Sequence, residues 1–472
     1  ALADALADHH RAHRGLRGLA AALKRKVQTH AFDFARGGLY LATGAAGHEG
    51  RFEDGEWRNW TADYAVRPAH YALPRSEEEL CATVARAERL RVVGGGHTFN
   101  ASPLSAQTLI SLDAYDAVLH VDRQARVARV QAGIRLRDLN RALLGAGLAL
   151  PVLGSTDAQS IGGLVATDLH GTGRDHGFLS EQIRALRVID AAGQARTVRP
   201  GDDLFHAVCG GLGACGVVTE VELALVPAYR LRKTSAMVDR ADAERDLAQA
   251  LSGHDHVSFY YVGGTEGEAI RQHTWDRVDA PETEGWVAKK TQAELQDFAL
   301  SAWLPSLAEG LVRLDEDHWL SNLAAPDKAL VMPASRAFGR RLFYRHDEIE
   351  FGVPVDAYLP ALREVLALLA RRDFFSIVET RFTPDASRGL IGPGAGRATA
   401  YIELATPLSQ DRTRVYPEVE AILRAHGGQP HLGKKTGVTA ADMLEIHGPR
   451  FQRFQAVRAT QDPHGKLLNA VT

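Results

Sequence analysis

Three consecutive glycines and a histidine stand at the centre of the stretch Val92-Val93-Gly94-Gly95-Gly96-His97-Thr98-Phe99-Asn100-Ala101-Ser102-Pro103. Glycine reaches positive φ angles without steric cost and has no Cβ, so a turn of this kind lets the backbone approach a ligand closely. Successive backbone N–H groups in such a turn form a concave site that suits an anion such as a pyrophosphate. A lone Gly-Gly-Gly-His would favour a tight turn with a surface imidazole, so the surrounding segments decide between the two interpretations.

The residues before this stretch predict a β-α-β unit that ends in the glycine turn. Tyr71 to Leu73 can form a short strand. Ser76 is a suitable N-cap for the following helix, with Glu79 as the reciprocal partner in a capping box. Arg91 to Val93 is the next predicted strand, and it leads directly into Gly94.

Two further glycine-rich blocks follow within the same half of the chain. The first runs from Gly154 to Leu164 and continues to His170-Gly171-Thr172-Gly173, and the second is Gly211-Leu212-Gly213-Ala214-Cys215-Gly216. The second block matches G-x-G-x-x-G, but a dinucleotide fingerprint must follow a strand and open a helix. Here a predicted helix, Leu204 to Val208, precedes the block and an alternating strand, Val217 to Leu223, follows it. We therefore expect a backbone-packing loop rather than a Rossmann fingerprint.

Composition indicates an ordinary globular protein. The 472 residues are 45% hydrophobic and 24% charged, with a net charge of −3, which gives no basic surface for nucleic acid. The three cysteines lack the spacing of a disulfide framework or a zinc site, and no metal site is predicted. No apolar run approaches the roughly 18 residues of a transmembrane helix, so we expect a cytoplasmic protein. The chain begins at Ala1 without Met, so we expect that some N-terminal sequence precedes it.

Taken together, the glycine blocks resemble the FAD-binding domain of the vanillyl-alcohol-oxidase (PCMH-type) flavoproteins, in the aldonolactone oxidase and alditol oxidase branch. The resemblance implies an α+β fold, in which a two-subdomain PCMH-type FAD-binding domain is joined to an α+β substrate domain. We expect an N-terminal extension at residues 1–56, including a short helix from Leu16 to Val27. The FAD-binding domain would occupy residues 57–229, the substrate domain residues 230–455, and residues 456–472 would return to the FAD-binding domain.

The same resemblance implies where FAD is held. In these families the histidine at the position of His97 is bonded covalently to the flavin 8α-methyl group, and whether N1 or N3 carries the link stays open. The cofactor-binding residues implied by the matching segments are Val93, Gly94, Gly95, Gly96, His97, Thr98, Phe99, Ser102, Pro103, Gly154, Ser155, Ser160, Ile161, Gly162, Gly163, Ala166, His170, Gly171, Gly216, Val217, Val218 and Asn469.

Candidate catalytic residues lie in the second half of the chain. In the predicted strand Phe374 to Thr383, a side-chain period of two puts Glu379 and Arg381 on one face beyond apolar residues. Two buried charged side chains are costly unless they form an ion pair with each other or face a polar site. A structural salt bridge therefore remains an alternative to a catalytic role. Glu379-Thr380-Arg381 resembles the Glu-x-Arg motif of the substrate pocket in this branch. His431-Leu432-Gly433-Lys434 resembles the family's His-Trp-Gly-Lys turn, with Leu432 in place of the aromatic residue and Lys435 next in the chain.

These residue types suit the oxidation of a neutral polyhydroxylated substrate. Arg381 and Lys434 can stabilise an alkoxide or a reduced anionic flavin, and Glu379 can accept hydrogen bonds from hydroxyls and orient Arg381. His431 is either a proton acceptor or a structural hydrogen bonder. We therefore predict an FAD-dependent oxidase of an aldono-1,4-lactone or alditol-like polyol, with O2 reduced to hydrogen peroxide. The alternatives are a dehydrogenase with another acceptor, an enzyme acting on a glycoside or nucleoside hydroxyl, and a non-catalytic flavin- or sugar-binding protein.

The expectation of O2 as acceptor depends on Gly154. The resemblance implies that this residue lies beside the flavin C4a–N5 edge, where a small residue is typical of oxidases and an alanine of dehydrogenases. A single added methyl group is felt in a close-packed interior, so it can exclude oxygen. Gly154 could instead serve a backbone turn after Leu150-Pro151, where glycine is common.

Overall fold

The structure, a computed structural model, describes residues 49–264, 269–298, 328–339, 346–408 and 410–472. Residues 1–48, with the helix expected from Leu16 to Val27, lie outside the described residues. Contacts divide the chain into two units. One comprises Ala1–Gly47, Val287–Pro326 and Arg341–Arg345, and the other comprises His48–Trp286, Asp327–Arg340 and His346–Thr472. Except for most of one helix, every described element lies in the second unit.

Strands and helices are both spread over the described part of the chain. In chain order they are β1 (Arg51–Glu53), β2 (Glu56–Arg58), β3 (Ala65–Val66), β4 (His70–Ala72), β5 (Leu90–Val93), β6 (Thr108–Ser111), β7 (Val118–Asp122), β8 (Val127–Gln131), β9 (Leu148–Ala149), β10 (Ile183–Ile189), β11 (Ala195–Val198), β12 (Val217–Ala224), β13 (Val226–Pro227), β14 (Arg230–Asp239), β15 (His256–Gly263), β16 (Ala269–Val278), β17 (Lys328–Pro333), β18 (His346–Pro354), β19 (Ser376–Thr383), β20 (Thr399–Pro407) and β21 (Gln429–Pro430).

The described α-helices are mostly short. They are α1 (Glu77–Arg86), α2 (Leu136–Gly145), α3 (Ile161–Ala166), α4 (Asp203–Val208), α5 (Arg240–Arg245), α6 (Leu247–Gly253), α7 (Trp286–Phe298), α8 (Ala334–Ala337), α9 (Tyr358–Arg371), α10 (Arg412–Ala425), α11 (Ala440–His447) and α12 (Pro449–Gln461). Among the described residues, two 3₁₀ turns add Leu179–Gln182 and Val355–Ala357. No helix in the described part of the chain is both long and apolar enough to cross a membrane.

Four sheets lie in the described N-terminal half, and two of them, β1-β2-β3 and β13-β9, are small antiparallel sheets distinct from the sheet that carries the glycine turn. A small parallel sheet has the order β4-β6-β5, and an antiparallel sheet has the order β11-β10-β12-β8-β7. The apolar stripe of α1, with Leu80 and Val84 fully buried, joins the same core as the inward residues of the β11-β10-β12-β8-β7 sheet. The glycine turn after β5 therefore leaves the edge strand of the parallel sheet.

The C-terminal half is built on an antiparallel sheet with the order β17-β14-β16-β15-β19-β20-β18-β21. One face carries apolar side chains such as Phe351, Val378 and Leu404, which pack with α9 and α10 into a second core. Because successive residues of a strand point to opposite faces, the intervening polar residues of β18, β19 and β20 share the other face.

The end of the chain packs against the N-terminal half. Phe451 and Phe454 of α12 belong to the first core, where α12 contacts α4. The backbone N–H of Leu90 donates to Lys466 O at 3.0 Å, so the last segment reaches the strand that precedes the glycine turn.

Several local expectations are confirmed and two are corrected. Ser76 caps α1 by accepting from Glu79 N at 3.2 Å, but the Glu79 carboxylate accepts from Arg75 N instead of closing a capping box. The G-x-G-x-x-G block lies between α4 and β12, as predicted. The strand expected from Phe374 begins only at Ser376, because Asp373 takes a left-handed φ of 49° at the end of α9. The expected α+β class is confirmed.

Candidate functional site

The glycine turn is pressed against the glycine-rich block that runs from Gly154 to Leu164. A Cβ added to Gly94 would overlap Ser160 Oγ, and one added to Gly95 would lie 2.5 Å from Ala158 O. Gly96 has a φ of +69° and faces the backbone of Gly50. These contacts leave no room for side chains, so the two blocks form one continuous backbone surface.

That surface borders a cavity of about 80 Å³. Nine of the predicted cofactor residues line it: Val93, Gly94, Ser160, Gly162, Gly163, Ala166, Gly216, Val217 and Val218. Close by in the chain, Thr98 Oγ1 and Gln159 Oε1 are buried without a hydrogen-bond partner among the described residues. A glycine-walled, mainly apolar cavity with nearby unsatisfied polar atoms fits part of an FAD molecule.

Sequence reasoning missed Arg91, which also lines this cavity. Its side chain is buried and donates hydrogen bonds to Leu467 O and Leu212 O, which joins β5 to the Gly211–Gly216 block and to the C-terminal segment. Burial lowers the pKa of Arg91 to about 10. The sequence does contain a signal for this role, because Arg91 lies on the strand that leads into the predicted phosphate-binding turn. The sequence pattern assigned Arg91 only to a strand.

The other predicted cofactor residues lie outside the lining of this cavity. His97 is half-buried and stacks on Trp60 with ring centroids 5.5 Å apart. Ile161 is fully buried in the first core, and Asn469 donates its side-chain N–H groups to Ala101 O, Ser102 O and Leu104 O. The side chain of Asn469 thus holds the loop that follows His97. The other predicted cofactor residues that do not line the cavity are Gly95, Gly96, Thr98, Phe99, Ser102, Pro103, Gly154, Ser155, His170 and Gly171.

The histidine loop is tied directly to the His431–Lys434 turn. Phe99 N donates to Gly433 O at 2.9 Å. The side-chain amide of Asn100 donates to Leu432 O at 2.7 Å and to Lys434 O at 2.9 Å. Residues more than 330 positions apart are therefore held together, and Asn100, which was not predicted as a site residue, makes two of the three bonds.

Charged side chains are concentrated on the polar face of the large sheet. Glu379 lies opposite Glu403, which in turn lies opposite Glu350 on the next strand. Arg381 lies opposite Tyr401, and Glu348 is two residues before Glu350 on β18. All of these side chains are buried. The strand order β19-β20-β18 therefore collects four glutamates around the two predicted cations.

Arg381 is fixed by two of these glutamates. Its Nε lies 2.8 Å from Glu379 Oε1, and its Nη2 lies 2.8 Å from Glu403 Oε2. Burial by itself would lower the pKa of Arg381, but Glu379, Glu403 and Glu350 outweigh it and raise that pKa well above its ordinary value. The guanidinium is a permanent, oriented cation, and the Glu379–Arg381 pairing predicted from the strand period is present.

The two adjacent lysines have different surroundings. Lys434 Nζ pairs with Glu348 Oε2, and it lies 3.5 Å from Glu403 Oε2 and 3.8 Å from Glu350 Oε2. It also lies 5.0 Å from the ring centroid of Phe99 in the histidine loop. Lys435 Nζ instead contacts Tyr64 Oη at 2.6 Å and Asp347 Oδ2 at 3.3 Å. Lys434 is therefore the lysine that joins the polar face of the sheet.

His431 contributes to a buried group with His170 and Glu350. His170 Nε2 lies 2.9 Å from Glu350 Oε1, while Gly433 N donates to His431 Nδ1 at 3.1 Å. Burial lowers the pKa of His431 to about 4, so its imidazole is neutral at pH 7. Burial by itself would raise the pKa of Glu350. The positive or hydrogen-bonding groups of His170, His431 and Arg381 outweigh burial and lower that pKa.

The same three residues have the ligand types of a metal site, with their ligand atoms within 4.8 Å of one another. Lys434 Nζ, however, lies 3.8 Å from Glu350, and Arg381 adds a second positive charge close by. Two fixed cations oppose a metal ion at this point, so the group is better described as a hydrogen-bonded support for the turn.

Glu348, Glu350, Glu403 and His346 are site residues that sequence reasoning did not single out. His346 Nε2 lies 2.7 Å from Glu348 Oε1, and its ring lies 5.2 Å from Trp60, which stacks on His97. The alternation His-x-Glu-x-Glu in β18 was an available signal, because it puts all three polar side chains on one face of the strand.

Comparison with known proteins identifies the family of this chain. The family model for D-arabinono-1,4-lactone oxidase matches residues 221–472, and that for an FAD binding domain matches residues 68–199. The chain is 31% identical over 430 residues to the L-gulono-1,4-lactone dehydrogenase of Mycobacterium tuberculosis, which covers 88% of this chain and 98% of that relative.

More distant relatives agree with this assignment. The alditol oxidase of a Streptomyces species is 29% identical over 433 residues, covering 87% of this chain and 96% of the relative. A cholesterol oxidase structure from B. sterolicum matches with a TM-score of 0.70 at 13% identity, covering 89% of this chain and 96% of that chain, and so shows the shared fold alone. The chain therefore belongs to the D-arabinono-1,4-lactone oxidase family, and it is an FAD-dependent oxidoreductase.

Proposed function

We propose that this protein oxidises a hydroxyl group of an aldono-1,4-lactone or a related polyol, with O2 as the electron acceptor. The observation that carries the proposal is the cluster of Arg381 and Lys434 among four glutamates on the polar face of the large sheet. Through Asn100 the same cluster is linked to the loop of His97, where we propose that the flavin is attached covalently.

The bound flavin supplies the hydride acceptor for this reaction. The protein positions the substrate and stabilises charge. Arg381 and Lys434 stabilise the negative charge that develops on the substrate oxygen when its proton leaves. Glu379 holds Arg381 through a 2.8 Å contact to Nε, which leaves other guanidinium N–H groups to bind substrate oxygens. The carboxylates on the same face supply proton acceptors beside that oxygen.

His431 is better suited to hold the turn than to accept the proton. Its Nδ1 already accepts from Gly433 N, so in the neutral ring the proton is on Nε2. Its lowered pKa, about 4, makes it a weak base at pH 7. We therefore propose that His431 is a positioning residue for Lys434.

Anaerobic flavin reduction tests the substrate class. The holoenzyme should be reduced by L-gulono-1,4-lactone or D-arabinono-1,4-lactone, and more slowly by xylitol. Cholesterol serves as a control for the shared fold and should give no reduction. Faster reduction by xylitol than by either lactone would move the assignment to polyols, and no reduction by any sugar-derived alcohol would refute the proposal.

A dehydrogenase with a different acceptor is the second candidate, because the Mycobacterium relative is named a dehydrogenase. Gly154 bears on this choice. Its φ lies outside the left-handed region, so the backbone turn does not itself demand glycine, and a Cβ there would lie 2.7 Å from Leu169 Cδ1. Because Cδ1 is the end of a flexible side chain, alanine can be accommodated by a shift of Leu169.

The Gly154→Ala variant separates the two acceptors. If Gly154 admits oxygen, substrate should reduce the flavin at a rate near that of the wild type, whereas reoxidation by O2 should slow by about tenfold or more and an artificial acceptor dye should restore turnover. Gly145→Ala is a matched control, because a Cβ at Gly145 meets open space. Equal slowing of both half-reactions would contradict an oxygen gate at Gly154.

A further inference from the structure

Three nitrogen-bearing side chains lie close together where the β19–β20 loop meets the last two helices. Arg397 lies in the loop that connects β19 to β20, His447 is the last residue of α11, and Arg450 lies in the first turn of α12. Arg450 Nη1 occupies the space that a Cβ at Gly396 would take, so its guanidinium lies directly beside the residue that precedes Arg397. We call these three residues the Arg397–His447–Arg450 cluster.

The positive charge of the cluster is felt by Asp356, but no carboxylate among the described residues is ion-paired with it. Neither arginine forms an ion pair within 4 Å of an acidic side chain among the described residues. Arg397 Nη2 donates to Gly352 O and Gly427 O, each at 2.7 Å, which are neutral acceptors. The two arginines repel each other, and burial together with this repulsion lowers the pKa of Arg397. Tyr401 and Asp356 offset this effect only in part, so an anion bound beside the two arginines would relieve their repulsion.

Four buried nitrogen atoms of the cluster also have no hydrogen-bond partner among the described residues. They are Arg397 Nε, Arg450 Nε and both ring nitrogens of His447. His447 is only 4% exposed, so its ring is almost fully withdrawn from solvent. A buried polar group without a partner costs free energy, so a polar group bound at this place would lower that cost.

The start of α12 adds a second feature that favours an anion. This helix has 13 residues, and its N-cap, Gly448, provides no side-chain cap for the first backbone N–H groups. A helix N-terminus carries a partial positive charge, and a cation such as Arg450 in the first turn is unfavourable there unless an anion lies nearby.

We propose that the Arg397–His447–Arg450 cluster binds the phosphate group of a small molecule. Two arginines suit a phosphate because guanidinium N–H groups match its oxygens. A neutral imidazole offers one donor and one acceptor. A hydrogen phosphate group carries both acceptor oxygens and a P–OH donor, so it can pair with the nitrogen of His447 that faces it whether that nitrogen donates or accepts, whereas a sulfate or a carboxylate can only accept.

This site is separate from the polar sheet face but lies against the same strands. Arg397 bonds to Gly352 O, two residues beyond Glu350 on β18. A Cβ at Gly394, in the same loop as Arg397, would lie 2.6 Å from the hydroxyl of Tyr401, whose ring stacks on His170 at 3.8 Å. A bound phosphate should therefore stabilise the folded protein without occupying the substrate pocket.

Calorimetry and thermal unfolding test the proposal. The protein is saturated with FAD in both experiments, so that added phosphate cannot bind at the site of the FAD phosphates. Inorganic phosphate should bind with one-to-one stoichiometry and raise Tm above that in chloride or sulfate at equal ionic strength. A parallel titration with glucose 6-phosphate distinguishes the two sources of the group. Tighter binding of the sugar phosphate identifies a phosphorylated metabolite, and tighter binding of inorganic phosphate identifies the free ion.

Arg450→Gln should weaken phosphate binding by about tenfold or more, because a charge-assisted pair is lost. Without phosphate, its Tm should equal or exceed that of the wild type, since a like-charge repulsion is removed. Arg453→Gln is the matched control one turn along α12, where Arg453 pairs with Asp203, and it should bind phosphate within about twofold of the wild type.

Two results would overturn the proposal. One is an equal Tm in phosphate, sulfate and chloride for the wild-type holoenzyme, a comparison that needs no variant. The other is phosphate binding by Arg450→Gln that matches the Arg453→Gln control.

Discussion

Replacing Lys434 by methionine should remove most turnover, whereas the same change at Lys435 should leave turnover close to that of the wild type. Methionine keeps the length and apolar body of the side chain and removes only the charge. Lys434 Nζ lies within 4 Å of Glu348, Glu350 and Glu403, and its side chain is 16% exposed. Lys435 Nζ has Asp347 and the hydroxyl of Tyr64 as neighbours, on the other face of β18.

The magnitudes follow from these surroundings. Removing one partner of a buried ion pair costs about 3–5 kcal/mol, because the remaining charge stays buried. Loss of an electrostatic stabiliser of the transition state costs on the order of 10²- to 10³-fold in kcat. Lys435 is more exposed and pairs with one carboxylate, so Lys435→Met should cost about 1 kcal/mol of stability and leave kcat within about threefold of the wild type.

The assay is anaerobic flavin reduction by the best lactone, measured with thermal unfolding for each variant. The double variant Lys434→Met/Glu348→Gln separates charge balance from catalysis. It removes the carboxylate paired with Lys434, so it should recover part of the lost stability but none of the lost rate. The reasoning is refuted if Lys434→Met keeps its rate of flavin reduction, or if Lys435→Met loses as much as Lys434→Met.

Three other expectations follow from the same structure. His97→Ala should fold and bind FAD through the glycine turn, but should release all of its flavin on acid precipitation, whereas the wild type should retain it in the pellet; release by the wild type would exclude a covalent link. Arg381→Ala should lower kcat on the order of 10²-fold, and Arg381→Lys should rescue it only in part, because a lysine lacks the planar fork that reaches both Glu379 and Glu403. A normal kcat with a lowered Tm would make Arg381 purely structural. His431 has a folded pKa of about 4, below the ordinary value near 6.5, so the unfolded chain binds the proton more readily and stability should fall as the pH drops from about 6.5 to 4. In His431→Gln the free energy of unfolding should depend less steeply on pH in that interval, by up to about 1.4 kcal/mol per pH unit, and an unchanged slope in denaturant unfolding would contradict the assignment.

Much of the local structure could be predicted because it depends on residues close together in the chain. The Ser76 cap, the strand at Arg91–Val93 and the reversed order around Gly211–Gly216 follow from caps, side-chain periods and glycine sterics. The pairing of Glu379 with Arg381 follows from the strand period of two, since both residues lie on the same strand.

The composition of the charged site depended on strand order. Glu350 and Glu403 approach Arg381 and Lys434 only because β20 pairs with β19 on one side and β18 on the other. The local sequences HDEIE (residues 346–350) and YIELA (residues 401–405) do not predict which strands become neighbours in the sheet. A side-chain period of two predicts that a strand has a polar face. The order of strands in the sheet decides which side chains of adjacent strands lie next to that face.

The sequence by itself determined the glycine turns, the α+β class and the residue types of the site, because these follow from backbone sterics and side-chain periodicity over a few residues. Only the tertiary structure decided that Lys434 rather than Lys435 faces the glutamates, that Asn100 ties the histidine loop to the lysine turn, and that Asn469 holds the loop backbone. The physical reason is that each of these contacts joins segments far apart in the chain, and the choice between them is made by packing of the whole fold.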